Sequence, residues 1–188
     1  MKGLIAVKSR MIHLKPSKYP LSRISDDRIE ELNQILHNSE EITIYCDCSV
    51  IHGHPIVGLS ACFVGCGSTI LESRKIYSVY INKTIYLEFR AVRFALENLP
   101  RILEEYKKMS FSPSRVLIYS DTQVIEDFVY NGAGKKAYMR EVIAEIRSLL
   151  DSLPENLNVQ IRYLGEHKKQ NIFYKASHNS ARKVIGKK

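Results

Sequence analysis

The sequence predicts an α/β domain, and three observations carry that expectation. Residues 42–79 hold three strand-like apolar runs joined by short polar links. From Thr84 the apolar period changes from two to that of a helix. Beyond it, strand-like and helix-like stretches alternate to residue 184.

Before the first strand, residues 1–24 carry Pro16 and Pro20 and are expected to form an irregular basic arm, with a short strand at Leu4–Val7. Ser25-Asp26-Asp27 suits a helix start, and Ile29, Leu32, Ile35 and Leu36 give that helix one apolar face. The domain expectation is therefore residues 1–39 as an N-terminal arm plus short helix, and residues 40–188 as the main domain.

The strand Ile42–Val50 is the centre of the reading. Its alternation puts Tyr45, Asp47 and Ser49 on one face and Ile44, Cys46 and Cys48 on the other. Asp47 either marks where the strand leaves the core or is a metal ligand held by a rigid strand. The second reading needs further carboxylates converging on it. Ile56–Val64 and Thr69–Val79 follow as two more strands of an antiparallel meander. His52 and His54 fall at a turn, where exposure is the plainer reading than metal ligation.

In the helix from Thr84, the buried stripe is Ala91, Val92, Ala95 and Leu99, continued by Ile102, Leu103 and Tyr106, with a kink or break expected at Pro100. Glu88 heads that stripe rather than the wet face, which is costly for a carboxylate unless it is paired or binds a metal. Its alternative is a first-turn glutamate favoured by the helix dipole. Arg115–Ser120 is the next strand and ends in Asp121, which caps the following helix, Gln123–Tyr130, or ligates metal, or does both. A flexible basic link at 132–136, a helix marked by Tyr138, Val142, Ile143 and Ile146, and a strand at Val159, Ile161 and Tyr163 come next. The polar loop Glu166–Asn171 then leads to a last helix from Ile172 to Val184.

Composition narrows the function classes. With 45% hydrophobic and 26% charged residues, the 188-residue chain suits one soluble domain with a real core. No apolar run approaches the roughly 18 residues of a membrane span, and the N-terminal apolar stretch is too short for a secretory signal, so a cytoplasmic, membrane-independent monomer is expected. Cys46, Cys48, Cys62 and Cys66 lack the paired spacing of a zinc site and read as reduced thiols. The first 25 and last 22 residues together hold 13 of the 28 basic residues and none of the 20 acidic ones. Such a distribution suits a protein that collects a divalent metal centrally and grips a polyanion peripherally, or one with merely solvated basic tails.

Taken together, Ile42–Ser49, Leu87-Glu88-Phe89-Arg90-Ala91, Ile118-Tyr119-Ser120-Asp121-Thr122 and the Glu166-His167 loop resemble, in order and spacing, the motifs of the ribonuclease H family. The resemblance spans about residues 40–186 and implies a mixed five-stranded sheet, three antiparallel strands then two parallel, with helices on both faces. It implies that Asp47, Glu88 and Asp121 meet and hold Mg²⁺, with Mn²⁺ as a substitute, at two positions about 3.5–4 Å apart. It further implies hydrolysis of the RNA strand of RNA/DNA hybrids to 5′-phosphate and 3′-hydroxyl ends, with His167 assisting proton handling or product release.

Three departures from the family pattern stand out. Cys48 replaces a glycine, and Thr122 replaces a serine. The fourth aspartate, on the last helix, is missing: alternative alignments put Lys175 or Arg182 in its slot. His178 is the favoured substitute ligand and Asn179 the second choice; the alternative to both is a helix face that contacts phosphate through Lys175 and Arg182 with no fourth ligand. The rival from another class is a non-catalytic nucleic-acid-binding module with the same fold. Proofreading exonucleases, which need Asp-x-Glu on the first strand, and integrase-type enzymes, with an Asp, Asp, Glu order, fit less well.

Overall fold

The computed structural model describes residues 10–11, 24–132 and 136–187. The expected arm strand at Leu4–Val7 and most of the basic link at 132–136 lie outside these residues. The first strand described is β1 (Arg10–Met11), a two-residue edge piece antiparallel to β4. The core sheet is built from β2 (Glu41–Val50), β3 (Ile56–Gly65), β4 (Ser68–Tyr77), β5 (Arg115–Ser120) and β6 (Asn158–Tyr163). Its order is β1-β4-β3-β2-β5-β6, with β2, β3 and β4 antiparallel and β2, β5 and β6 parallel. This is the mixed five-stranded sheet expected from the sequence, extended by the short edge strand.

Helices cover both faces. Ile42, Ile44 and Cys46 of β2 pack with Leu87, Val92, Leu99 and Ile102 of α2 (Thr84–Lys108) and Val142 and Ile146 of α3 (Ala137–Asp151). On the opposite face, Tyr45, Cys62 and Val64 pack with Leu32 of α1 (Asp26–Leu36) and Phe173, Tyr174 and Ala176 of α4 (Ile172–Val184). The period-2 alternation of β2 therefore assigns Asp47 to the α4 side. Expected as part of an N-terminal addition, α1 lies directly on the sheet, and Arg28 Nη2 donates to the His167 carbonyl at 2.6 Å.

Local departures from expectation are instructive. Helix α2 runs unbroken through Pro100, because proline removes only one intrahelical hydrogen bond while Leu99, Ile102 and Tyr106 anchor the helix in the core on both sides. The segment after Asp121 is not a regular α-helix but a short helical stretch ending in a π-helical turn, Asp127–Asn131. Cys46 and Cys62 belong to opposite faces and all four cysteines are free, so the thiols do not converge on a zinc ion. His52 and His54 are exposed. Among the described residues, no helix is long and apolar enough to cross a membrane.

The approach of α4 to the sheet depends on Gly58. A Cβ built on Gly58 falls 2.0 Å from the Ala181 carbonyl oxygen, so the helix backbone rests on the bare glycine. Gly58→Ala is expected to cost about 3 kcal/mol through overpacking, and to lower Tm by roughly 6–12 °C in a calorimetric melt.

Candidate active site

The topology dictates where the first two carboxylates go. Parallel pairing of β2 with β5 sets Tyr45 opposite Tyr119, so Asp47 and Asp121, each two residues further on, emerge at the same edge and on the same face. The stacked rings of Tyr45 and Tyr119, 5.6 Å apart, fill that face just below them. Glu88 arrives from the other side of the sheet, on the first turns of α2, where its Oε1 accepts from Cys48 Sγ at 3.3 Å. Cys48 is the strand neighbour of Asp47, so the thiol brings Glu88 to the same edge.

The last turn and helix complete the cluster. Asn171 caps α4 through its Oδ1, which accepts from the Phe173 and Tyr174 amides, while its Nδ2 donates to the His167 carbonyl. One side chain thus fixes both the start of α4 and the 3₁₀ turn Gly165–Lys168. One turn into α4, the Tyr174 hydroxyl lies 3.1 Å from Asp47 Oδ1 and 3.2 Å from Asp121 Oδ2. A turn later, His178 Nδ1 stands 3.1 Å from Asp47 Oδ2. Lys168 Nζ donates to Asp121 Oδ2 at 2.6 Å and lies 5.3 Å from the centroid of the Tyr174 ring.

The sequence-predicted residues divide accordingly. Asp47, Asp121, Glu88 and His178 are drawn to one edge. His167 is not: its ring faces Tyr119 and its Nδ1 points at Glu31 of α1, 3.4 Å away. Its neighbour Lys168 is the residue of this turn that reaches the cluster. Asp121 accepts from Lys168 and Tyr174 rather than serving as a helix cap. Asn179 lies on the exposed side of α4. Tyr174 and Lys168 were not anticipated. The only sequence signal for Tyr174 is its i, i+4 spacing to His178, and for Lys168 its adjacency to His167.

The electrostatics follow from crowding. Burial, and secondarily the nearby Asp47 charge, push the Glu88 carboxyl up to about 8. Its Oε2 is buried without a hydrogen-bond partner. The Asp47 carboxylate raises the pKa of His178 and so favours imidazolium, and the Asp121 contact does the same for the Lys168 ammonium. Burial, reinforced by Asp47 and Asp121, pushes the Tyr174 hydroxyl far up, so it remains a donor.

Among the described residues, no three His, Cys, Asp or Glu side chains are already gathered into a metal cage. The donor chemistry nonetheless fits a hard divalent cation: oxygen ligands from Asp47 and Asp121, and a buried Glu88 oxygen without a hydrogen-bond partner. In this arrangement the tyrosine hydroxyl and the lysine ammonium supply the positive ends of dipole and charge between the two aspartates.

No protein-family model and no curated protein matches the sequence. Solved structures do. Ribonuclease H1 from the halophilic archaeon Halobacterium salinarum is 14% identical with a TM-score of 0.55, over 77% of this chain and 97% of that one. A ribonuclease H1 isolated from compost by a metagenomic approach is 18% identical with a TM-score of 0.55, over 78% and 99%. A structure of the compost enzyme in complex with an RNA/DNA hybrid matches at 19% identity and a TM-score of 0.53, over 77% and 99%. At these identities the likeness is one of fold: the chain has the ribonuclease H-like fold.

Glu88 makes stability depend on pH in a defined direction. The folded chain retains the Glu88 proton up to about pH 8, whereas an ordinary carboxyl releases it near 4.5. The folded state therefore binds more protons between those values, and stability falls as pH rises through them, by at most about 1.4 kcal/mol per pH unit. Thermal melts without divalent ions at pH 5 to 8 are expected to show this decline, and Glu88→Gln to flatten it. Added Mg²⁺ is expected to stabilise the wild type progressively more as pH approaches 8, because ion and proton compete for Glu88.

Proposed function

We propose that the chain is a divalent-cation-dependent nuclease that cleaves the RNA strand of RNA/DNA hybrids, leaving 5′-phosphate and 3′-hydroxyl ends. The carrying observation is that Asp47 and Asp121 share the Tyr174 hydroxyl at one edge of a ribonuclease H-like sheet, with Glu88 held on Cys48, the strand neighbour of Asp47. The hybrid-bound structural neighbour supports the choice of substrate.

Asp47, Glu88 and Asp121 would hold Mg²⁺, or Mn²⁺ in its place, with His178 as the nearest further donor. When bound, the ion supplies Lewis-acid stabilisation of the negative charge that builds up on the phosphate during in-line displacement. The chain's own residues prepare for that charge. Lys168 keeps an ammonium beside Asp121, where the approach of a phosphodiester is electrostatically favourable. Tyr174 places its single hydroxyl proton within reach of both aspartates, 3.1 Å from Asp47 Oδ1 and 3.2 Å from Asp121 Oδ2. His178 sits at the rim, half-exposed, with its Nδ1 3.1 Å from Asp47 Oδ2. Residues Lys175 and Arg182 of α4 continue the positive rim on which a nucleic-acid backbone would rest.

A second reading has its own support. The aspartates are engaged by the Tyr174 hydroxyl and the Lys168 ammonium, as they would be in a nucleic-acid-binding module that has lost catalysis.

Incubation of the full chain and Mg²⁺ or Mn²⁺ with labelled hybrid, duplex RNA, duplex DNA and single strands separates the two. The expected result is cleavage of hybrid RNA that falls by about 10²–10³-fold or more in Asp47→Asn and in Asp121→Asn. Hybrid binding without cleavage in either metal would establish the module instead.

A further inference from the structure

The expected two-ion mechanism leaves no place for Lys168, yet Lys168 makes the shortest polar contact in the cluster. We propose that its ammonium permanently takes one of the two cation positions, so that the site binds a single divalent ion on its Asp47–Glu88 side. The inference rests on the reading of this edge as a divalent-ion nuclease centre and specifies how many ions that centre takes.

Three observations lead there. The first is occupancy. Asp121 Oδ2 lies 2.6 Å from Lys168 Nζ and 3.2 Å from the Tyr174 hydroxyl, so the oxygen facing the cluster is already engaged by two donors. Asp47 is engaged as well, its Oδ1 by the Tyr174 hydroxyl and its Oδ2 by His178 Nδ1, but of the two aspartates it is Asp121 that meets an ammonium, a full positive charge set where an ion would bind that oxygen. On the other side Glu88 Oε2 is buried and has no partner, so a donor for an ion is in place there.

The second observation is charge. The site has three carboxylates, Asp47, Glu88 and Asp121, and the helix face that would carry a fourth offers Lys175, His178 and Arg182 instead. Lys168 offsets one of the three negative charges and a single divalent ion offsets the other two, before any positive charge on His178, Lys175 or Arg182 is counted. A second divalent ion would leave the cluster with a surplus of positive charge in a partly desolvated place.

The third is fixation. Lys168 is not a loose surface lysine, although its side chain is 48% exposed. The carbonyl of the residue before it is held by Arg28 Nη2 at 2.6 Å and by Asn171 Nδ2 at 3.1 Å. Its ammonium also lies over the Tyr174 ring, which favours a cation at that place. The remaining exposure leaves the ammonium open to a phosphate oxygen from solvent.

The test counts ions directly. The full chain is titrated with Mn²⁺ and followed by electron paramagnetic resonance, alone and with a hybrid whose RNA strand is 2′-O-methylated to resist cleavage. Wild type is expected to bind one Mn²⁺ per chain in both cases, with the spectrum of an isolated ion. Lys168→Met is expected to take up two with the hybrid present, with the exchange-coupled spectrum of a close pair. Lys168→Arg, which restores the charge, is expected to return to one. Thermal melts establish that each variant is folded, and an unfolded Lys168→Met is replaced by Lys168→Gln.

Two coupled ions in wild type, or one ion of unchanged affinity in the folded neutral variant, would overturn the proposal while leaving the nuclease reading intact. No Mn²⁺ bound by wild type would overturn both. One ion bound without cleavage of an unmodified hybrid would support the ion count and overturn the nuclease reading alone.

Discussion

The structure turns on the repulsion between Asp47 and Asp121. Two carboxylates placed on one face, each two residues beyond the last paired residues of neighbouring parallel strands, repel each other. Everything that follows in the chain answers this. A hydroxyl from α4 donates between them, an ammonium from the 3₁₀ turn neutralises one, and an imidazole meets the other. The acidic edge is thus assembled from the middle of the sequence and compensated from its last 25 residues or so. The lopsided distribution of charge along the sequence has a local counterpart in space.

Packing holds that compensation in place. Tyr45, Tyr119 and Phe173 stack through the layer between sheet and α4, with ring centroids 5.6 and 6.2 Å apart. Gly58 lets the helix settle against β3, and Asn171 sets where it begins. With both contacts satisfied, Tyr174 and His178 can only project toward the aspartate edge, one turn apart. The geometry of the polar cluster is therefore a consequence of an apolar layer and a cap, neither of which touches a carboxylate.

The sequence exposes this architecture unevenly. The strands and the last helix are readable because one-sided burial imposes a period: β2 alternates cleanly, and α4 spans Ile172–Val184 as its apolar spacing indicates. Asp47, Glu88 and Asp121 stand out because carboxylates are unexpected at apolar positions. Lys168 and Tyr174 do not stand out, since a lysine in a polar loop and a tyrosine on an amphipathic helix are ordinary in those places. Their roles arise from a register between α4 and the sheet that no local pattern encodes. The placement of the His167 ring is illegible for the same reason, because α1, remote in sequence, offers it a carboxylate in Glu31. Pro100 misleads in the opposite sense: the local rule for proline holds, but burial on both sides of it outweighs one missing hydrogen bond.

The seating of α1 has a practical bearing on how this protein is handled. A fragment starting at residue 40 would look like a tidy trimming of an appendage. It would instead take Leu32 out of the cluster it forms with Tyr45, Cys62 and Val64 and expose part of that apolar layer. It would also release the grip of Arg28 on the turn that carries Lys168. Any shortened version meant for biochemistry should keep the chain from Ser25 onward, or its stickiness and altered loop will be mistaken for properties of the intact molecule.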